Sequence, residues 1–260
     1  MQIKKIKDKS TLYNFFIHDK SLYGYHIGDL DSFFFDSCKY FCLIENNILK
    51  EVILLFEGLS TPTLLVFDKN GFSKNLLSNI INDLPNKFYC HYFPIHENDF
   101  KTKFKIKHLG SHYKMFLANK SLISQIINNN IVNLTDTHKE LLSSFYNKHY
   151  PTGYFENHML LTKKYFGYFQ NGDLISVAGV HVFAPTYRTA ILGNIATDSS
   201  QRNKGFAKKT ITFLINNLLN NVEFIGLNVK QDNYSAIKLY ESIGFIISHS
   251  YEEALIERKK

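Results

Sequence analysis

Two stretches of the chain match each other without gaps, 125 residues apart. The first, KYFCLIENNILKEV, begins at Lys39, and the second, KYFGYFQNGDLISV, begins at Lys164. Each has the pattern of a strand, a tight turn that contains asparagine, and a second strand. A hairpin that recurs at a fixed offset favours a fold that is built twice, because each copy repeats one supersecondary unit.

A second match lies further along the chain, at an offset of 134 residues. The segment DKNGFSK at 68–74 pairs with RNKGFAK at 202–208, so that the Gly-Phe pairs beginning at Gly71 and Gly205 coincide. Both pairs precede apolar residues at helical spacing, namely Leu76, Leu77, Ile80 and Ile81 in the first copy and Ala207, Ile211, Leu214 and Leu218 in the second. The two matches together predict a tandem duplication.

The boundary between the two copies is predicted within residues 119–134, where Asn and Ser cluster between patterned segments. Residues 1–125 then form an N-terminal domain, and residues 126–260 form a second domain. The second domain reads as two helices, three strands, helix, strand, helix and strand. This order predicts an α+β fold in which helices flank a mixed central sheet whose first strands are antiparallel, and the duplication predicts two such domains in tandem.

The ends of the elements in the second half follow from capping and turn residues. Asp136 or Thr137 is expected to cap the first long helix, and Gly244 is expected to end the last one. The other predicted elements are a strand at 131–134, a short helix at 155–161, helices from about 204 to 219 and from 233 to 242, and short strands at 245–248 and 252–257.

Composition constrains the partners more than the fold. The 30 basic and 23 acidic residues leave a formal charge of +7, which suits a phosphorylated or acidic partner, but no basic run is long enough for a nucleic-acid arm. Cys38, Cys42 and Cys90 are odd in number and lack metal-type spacing, so we expect free thiols and no metal. Without a hydrophobic signal core or a long apolar run, a cytoplasmic protein with no membrane partner is expected.

The polar stretch QRNKGFAKK at 201–209 separates a predicted strand that ends at Thr197 from a predicted helix. Successive loop N–H groups at a helix N-terminus, with the helix dipole behind them, form an anion site. Gly205 would let a ligand approach the backbone, and Arg202 can pair with a phosphate through its fork of donors. Spacing excludes the two common nucleotide loops, G-x-x-x-x-G-K-[ST] and G-x-G-x-x-G. An ordinary capped helix entry remains the alternative at this point.

The stretch NIATDSSQRNKGFAKKTITFLI, followed by LNVKQDNYSAIKLYESIGF, resembles the two core motifs of the GNAT N-acetyltransferase superfamily. The family pattern is a strand, then [Q/R]-x-x-G-x-[G/A] at the start of a long helix, then a strand, then N-x-x-A-x-x-x-Y-x-x-x-G-F. Arg202, Gly205 and Ala207 fill the first motif, and the second is filled by Asn233, Ala236, Tyr240, Gly244 and Phe245. The resemblance covers about residues 130–260.

The resemblance implies transfer of an acetyl group from acetyl-CoA to a primary amine of a small molecule or peptide. Amides of the loop would hold the pyrophosphate, and the preceding strand would pair with the pantetheine arm and offer an N–H to the thioester carbonyl. Tyr240 would act as the general acid that protonates the leaving thiolate. The cofactor-binding residues implied in this way are Ile195, Ala196, Thr197, Arg202, Asn203, Lys204, Gly205, Phe206, Ala207, Lys208 and Asn233.

The sequence also departs from the family pattern. Many relatives place a glutamate on the strand that enters the loop, but TAILGNIAT carries no carboxylate. His181 on the neighbouring strand and Glu156 are the candidate bases, and neither is assigned, because water or an amine that arrives neutral can suffice. Asn203 and Ser199 stand where glycine and proline are frequent, and neither blocks backbone binding.

The first half resembles a degenerate copy of the same domain. At an offset of 134 or 135, Tyr240 would match Ile106 or Lys105, neither of which can donate a proton as a phenol does. We therefore expect a non-catalytic domain. Two other functions remain open for the whole chain: an aminoacyl-tRNA-dependent transferase of the same fold, and a non-catalytic module that binds CoA.

Overall fold

The computed structural model describes residues 1–68, 71–125, 127–151, 153 and 155–259. They form two compact units, the first made of Met1–Lys114, Val229–Asn233 and Ser248–Lys260, and the second of Met115–Asn228 and Tyr234–Ile247. The tandem division at 125/126 stays a prediction, because the units as packed are assembled from segments that are distant in the sequence. In the described part of the chain, no helix has the length and apolar character needed to cross a membrane.

The first half of the chain opens with a strand and short helices, then continues with three strands, a helix, a strand, a helix and a strand. The strands are β1 (Gln2–Lys5), β2 (Cys38–Glu45), β3 (Ile48–Phe56), β4 (Thr63–Val66), β5 (Lys87–Tyr92) and β6 (Phe104–Leu117). The helices are α1 (Lys9–Phe16), α2 (Lys20–Gly28), α3 (Ser32–Phe35), α4 (Ser73–Ile80) and α5 (Glu97–Lys101).

The second half repeats this order with fewer helices at its start. Its strands are β7 (Ile131–Asn133), β8 (Phe166–Gln170), β9 (Asp173–Ala184), β10 (Thr189–Thr197), β11 (Phe224–Lys230) and β12 (Phe245–Arg258). Its helices are α6 (Lys139–His149), α7 (Phe206–Leu218) and α8 (Tyr234–Glu241). Short 3₁₀ turns cover Asp136–His138, Asn157–Thr162, Pro185–Tyr187 and Ser199–Gln201.

The same strand order and directions occur in both halves. Strands β1 to β4 are antiparallel neighbours and β4 pairs in parallel with β5. Strands β7 to β10 are likewise antiparallel neighbours and β10 pairs in parallel with β11. Helices α4 and α7 connect the parallel strands of their halves. The α+β fold with a mixed sheet, expected from the sequence, is confirmed in each half.

The hairpins that revealed the repeat turn at the same place in both copies. Asn46 and Asn47 have φ of 50° and 61° between β2 and β3, while Asn171 and Gly172 have φ of 53° and 88° between β8 and β9. Two consecutive residues in the left-handed region are the requirement of a type I′ turn, which asparagine and glycine meet at the lowest steric cost. The predicted two-strand hairpins are therefore confirmed.

Helices α4 and α7 bury the residues that the apolar spacing singled out, except Ala207, which is half-buried. Leu76, Leu77 and Ile80 of α4 join a core with Phe41 and other residues of the first unit. In α7 the buried aliphatic positions are Ile211, Leu214, Ile215 and Leu218. Burial of such a side chain contributes about 1.5–3 kcal/mol, so these faces hold the helices against their sheets.

Several predicted element ends were wrong. Thr135, rather than Asp136 or Thr137, caps the turn that leads into α6, where it forms a reciprocal capping box with His138. Helix α7 starts at Phe206 because Gly205 adopts a left-handed conformation at φ 82°. The short helix predicted at 155–161 is a 3₁₀ turn at Asn157–Thr162.

The two short strands predicted at the end of the chain form one strand, β12. Its residues Glu252–Glu257 pair antiparallel with Lys87–Tyr92 of β5 and extend the sheet of the first unit. Polar side chains along this strand have partners in the first unit: Ser111 donates to Glu252 at 2.7 Å, and Ser248 donates to the carbonyl of Lys114 at 3.1 Å. A partner strand so far away in the sequence is invisible to a local pattern.

Candidate active site

Strand β10 runs well past its parallel partner in the second unit. Only Thr189–Leu192 pair with β11, opposite Phe224–Leu227, whereas β10 continues to Thr197. The extension contains Ile195, Ala196 and Thr197, of which Ala196 is buried and the other two are half-buried. A strand edge without a partner strand presents backbone donors and acceptors that an extended ligand can pair with.

The extension begins with a β-bulge at Asn194. The register with β9 shifts between Gly193 and Ala196, and Asn194 has φ 52°, in the left-handed region. A bulge disrupts the ladder locally and turns backbone groups away from it. The bend therefore falls where the family resemblance expects the thioester to lie.

The loop after β10 is held by side chains at both of its ends. The Asp198 carboxylate accepts hydrogen bonds from the amide and the hydroxyl of Ser200, at 2.8 and 2.9 Å, and these bonds lower the pKa of Asp198. The imidazole of His149 accepts from the amide of Ser199 at 3.1 Å, and Arg202 donates one guanidinium N–H to the carbonyl of His149 at 3.1 Å. The loop is thus tied to the C-terminal end of α6.

The N-terminus of α7 lacks a side-chain cap. Gly205 is the cap residue, no side chain accepts from the first turn, and the first turn contains no acidic residue. The first helical hydrogen bond runs from Lys209 N–H to Gly205 O at 3.1 Å, so the amides of 206–208 have no acceptor among the described residues. At the N-terminus of a helix, N–H groups without an acceptor point in the direction in which the helix dipole attracts negative charge. Such groups form an anion site.

Basic side chains surround this helix start. Arg202, Lys204 and Lys208 are exposed, and Asn203 is exposed in a left-handed conformation at φ 63°. Lys204 donates to Gln201 at 2.9 Å, and Lys208 donates to the hydroxyl of Ser242 at 3.2 Å. Ala207 and Phe206, the remaining predicted loop residues, are half-buried. The structure therefore brings the predicted loop residues together around one set of free amides.

Position 205 favours glycine because of its backbone conformation and not because a side chain would lack space. A Cβ atom there would meet no atom within 4 Å, but φ of 82° strains any L side chain. The space in front of the residue is open, as an approaching ligand would need.

The two remaining predicted residues belong to the start and the body of α8. Asn233 is exposed and directly precedes the helix. Tyr240 is 7% exposed, with its ring 5.9 Å from that of Phe245, and its hydroxyl makes no hydrogen bond to any residue that the structure describes. Burial, assisted by the nearby phenol of Tyr150, raises the pKa of Tyr240, so the phenol stays protonated.

The two candidate bases differ in their surroundings. The ring of His181 covers Gly193, where an added Cβ would lie 2.2 Å from the imidazole, so only glycine fits beneath it. His181 therefore lies beside β10. Glu156 pairs with His158 at 3.3 Å.

Sequence reasoning missed a buried network behind the bulge. Tyr146 donates to the carbonyl of Asn194 at 2.7 Å, the amide of Asn194 donates to the hydroxyl of Tyr165 at 2.9 Å, and that hydroxyl donates to the carbonyl of Val180 at 3.0 Å. Burial raises the pKa of both tyrosines, which keeps them neutral donors. The contacts join residues up to 48 positions apart, so no local signal marks them.

Comparison with known sequences covers part of the chain. The model of the acetyltransferase (GNAT) family matches residues 134–245. A [ribosomal protein bS18]-alanine N-acetyltransferase from Haemophilus ducreyi is 44% identical over 57 residues, which are 22% of this chain and 39% of that protein. The match thus spans about two fifths of the relative's length.

Solved structures with the same fold cover more of the chain. A putative GNAT acetyltransferase from Novosphingobium aromaticivorans matches at a TM-score of 0.58 and 16% identity, over 84% of this chain and 92% of that one. A GNAT acetyltransferase from Colwellia psychrerythraea matches at 0.55 and 16% over the full length of both. A tandem GNAT protein of the clavulanic acid biosynthesis pathway matches at 0.54 and 9%, over 99% and 98%.

These structural matches establish the fold. The family model coincides with the half that contains the bulged strand, the uncapped helix and the helix of Tyr240. Residues 134–245 thus match a domain of the acetyltransferase (GNAT) family, whose members are acyl-CoA-dependent N-acetyltransferases.

Proposed function

We propose that the second unit binds acetyl-CoA and transfers its acetyl group to a primary amine. The observation that carries the proposal is the uncapped N-terminus of α7, set among basic side chains directly after the unpaired extension of β10. The amides of 206–208 and the free donors of Arg202 suit a pyrophosphate, and the extension of β10 suits an extended amide-containing arm.

Each residue has one task in the proposed reaction. The residues from Asn203 to Lys208 hold the phosphates, and Ile195 to Thr197 align the pantetheine arm. An amide at the bulge donates to the thioester carbonyl while the amine nitrogen bonds to the acetyl carbon. The carbon–sulfur bond then breaks, and Tyr240 donates its proton to the departing sulfur.

The proposed mechanism includes no general base. Strand β10 carries no carboxylate, Glu156 is paired with His158, and His181 covers the backbone of Gly193. An amine that reaches the site in its neutral form needs only to lose a proton to water after it has attacked.

The acceptor is proposed to be a small-molecule or peptide amine, and peptide N-terminal amines should be tested first. The name of the Haemophilus ducreyi relative states that it acts on an alanine of a ribosomal protein, and its similarity here is confined to 57 residues. A cytoplasmic location belongs to the same proposal, because the cysteines of the chain are free thiols, the state that a reducing compartment maintains.

The test is a screen for acetyl-CoA-dependent thiol release against amines, polyamines, amino acids and peptides. We expect thiol release that requires one class of amine, together with an acetylated product detected by mass spectrometry. Binding of acetyl-CoA without turnover across the whole panel would contradict the transferase and favour a CoA-binding module. Transfer of an amino acid from charged tRNA, with no release from acetyl-CoA, would favour the tRNA-dependent alternative.

A further inference from the structure

The bulge in β10 is held from one side by two tyrosines that the acetyl-transfer scheme above does not use. Tyr146 reaches from α6 and donates to the carbonyl of Asn194 at 2.7 Å. Both residues are 5% exposed, so the bond is shielded from water. In such surroundings a hydrogen bond is stronger than in water, and its loss leaves a buried carbonyl without a donor.

The side chain of Asn194 is anchored independently of its backbone. Its amide nitrogen donates to the hydroxyl of Tyr165 at 2.9 Å and contacts the sulfur of Met159 at 3.3 Å. The ring of Tyr165 fits only because residue 179 is glycine, where a Cβ would lie 2.3 Å from the ring. Main chain and side chain of Asn194 are thus each fixed by one phenol.

The bond from Tyr146 also determines the direction of the next amide. Every peptide bond in the described chain is trans, so the carbonyl of Asn194 and the N–H of Ile195 point in opposite directions. Because the carbonyl points to the hydroxyl of Tyr146, the N–H of Ile195 points away from α6. Rotation of this single peptide plane would move the donor, while the rest of β10 stays paired with β9.

We propose that Tyr146 and Asn194 are positioning residues that aim the amide of Ile195 at the thioester carbonyl of acetyl-CoA; this inference rests on the proposed function. A donor of this kind acts only when it is held in place before the charge develops on oxygen. The left-handed conformation of Asn194 costs free energy, which the two phenols offset. The strained conformation of Asn194 is therefore stabilised at the peptide that carries the amide of Ile195.

Replacement of Tyr146 by phenylalanine tests the inference, with Tyr40→Phe as the matched control. Tyr40 is also a buried tyrosine that donates to a backbone carbonyl, that of His26 at 3.3 Å, but it belongs to the first unit. Tyr146→Phe should lower kcat about tenfold. This loss is smaller than the roughly 10²–10³-fold loss that follows removal of an oxyanion donor itself, because the amide of Ile195 remains present but is no longer held in place. The KM for acetyl-CoA should stay within about twofold of the wild-type value. Tyr40→Phe should change neither constant.

A spectroscopic measurement tests the same point without an acceptor. Infrared spectra of acetyl-CoA labelled with carbon-13 at the thioester carbonyl should show a band shifted to lower frequency on binding, and Tyr146→Phe should return it towards the value in solution. If Tyr146→Phe does not fold, Asn194→Gly, which accepts the left-handed conformation but lacks the anchored amide, should give the same partial return.

The outcomes separate the two proposals. Failure of the wild-type chain to bind acetyl-CoA would overturn the proposed function. Normal binding, with an unchanged carbonyl band and unchanged kcat in the folded variant, would overturn the positioning role alone.

Discussion

The loops that open α4 and α7 have the same fold context but carry opposite charges at one matching position. In the second unit, Arg202 stands three residues before Gly205; at the matching place in the first unit, Asp68 stands three residues before Gly71. Gly71 is also left-handed, at φ 78°, but its amide already donates to the carboxylate of Asp68. Lys69 and Asn70, between them, lie outside the described residues. In the first unit the amide of this glycine is thus already paired with a carboxylate.

A second carboxylate reinforces this difference. Glu51 is fully buried beside the hydroxyl of Ser73, where α4 begins, and faces Asp68. The residue that matches Glu51 in the repeated hairpin is Ser176, whose hydroxyl donates to the carbonyl of Ala196 at 3.2 Å. Asp68 and Glu51 in one copy thus correspond to an arginine and a serine in the other. Burial raises the pKa of Glu51 to about 8, so the repulsion of a phosphate from the first copy comes from Asp68.

The parallel strand pairs differ as well. All of β4, Thr63–Val66, pairs with β5, and Phe93 adds a hydrogen bond to the carbonyl of Val66 at 3.4 Å. Strand β10 pairs with β11 over its first four residues only. One topology therefore exists in a closed and an open form. Neither α4 nor α7 has a side-chain cap, and the open form is the one in which the helix start lies next to an exposed strand edge and follows Arg202. The comparison teaches that the ligand site depends on a few local departures rather than on the shared architecture.

Substitution of Arg202 by the aspartate found at the matching position of the first unit should have the largest effect, on the affinity for CoA. Arg202→Ala should weaken CoA binding about tenfold to a hundredfold, because a charge-assisted contact contributes roughly 1.5–3 kcal/mol. Arg202→Asp, which copies Asp68, should weaken it at least about tenfold more, through repulsion of the phosphates.

Calorimetric titration with CoA measures both changes. Arg188→Ala is the control, since Arg188 is 59% exposed and pairs with Glu223 in the same unit. Equal dissociation constants for Arg202→Asp and the wild type would show that this loop does not hold the phosphates.

Removal of the phenol of Tyr240 should have the next largest effect, on turnover. The counterpart of α8 in the first unit, α5, has five residues, and Lys105 and Ile106 lie in β6, so that unit offers no phenol at this place. Tyr240→Phe should lower kcat on the order of 10²-fold, the size expected for one positioned proton donor, and should leave CoA affinity near the wild-type value.

Single-turnover kinetics with an identified amine measure this effect, with Tyr234→Phe, on the exposed start of the same helix, as control. Wild-type turnover in Tyr240→Phe, under conditions where chemistry limits the rate, would exclude the phenol as the acid.

The smallest effect is expected on the stability of the first unit, through the buried carboxyl group of Glu51. Burial raises the pKa of Glu51 from 4.5 to about 8, and one carboxyl oxygen has no hydrogen-bond partner among the described residues. Between these values the unfolded chain loses the proton that the folded chain keeps, so the cost to stability grows as pH rises from about 4.5 to about 8.

Glu51→Gln should remove this cost and raise the free energy of unfolding by about 1–3 kcal/mol at pH 7.5, with little gain at pH 4. Urea unfolding at both pH values measures it, with the exposed Glu241→Gln as control. A gain of the same size at pH 4 would contradict a role for ionisation.

Features with local causes were predicted correctly from the sequence. Tight turns with asparagine, apolar spacing in α7, and the glycine that ends α8 all act within a few residues. Gly244, for example, has φ 100°, a backbone conformation that glycine adopts without strain. Local rules of backbone sterics suffice for such positions.

Features that depend on distant partners were not predicted. Asn194 has a left-handed conformation inside a strand because Tyr146 and Tyr165 bind it, 48 and 29 residues earlier in the sequence. Glu51 occupies a strand position that reads as polar and exposed, yet it is fully buried. The candidate loop was predictable as a motif, whereas the bulge that completes the site needed three-dimensional packing.

The central claim is that the two copies of one topology differ in their capacity to bind CoA. Isothermal titration of the whole chain with CoA tests it most directly, because the number of sites is read independently of any acceptor. We predict about one site per chain, abolished at accessible concentrations by Arg202→Asp. Two sites per chain, or one that survives Arg202→Asp and is lost on substitution within 71–74, would contradict the claim.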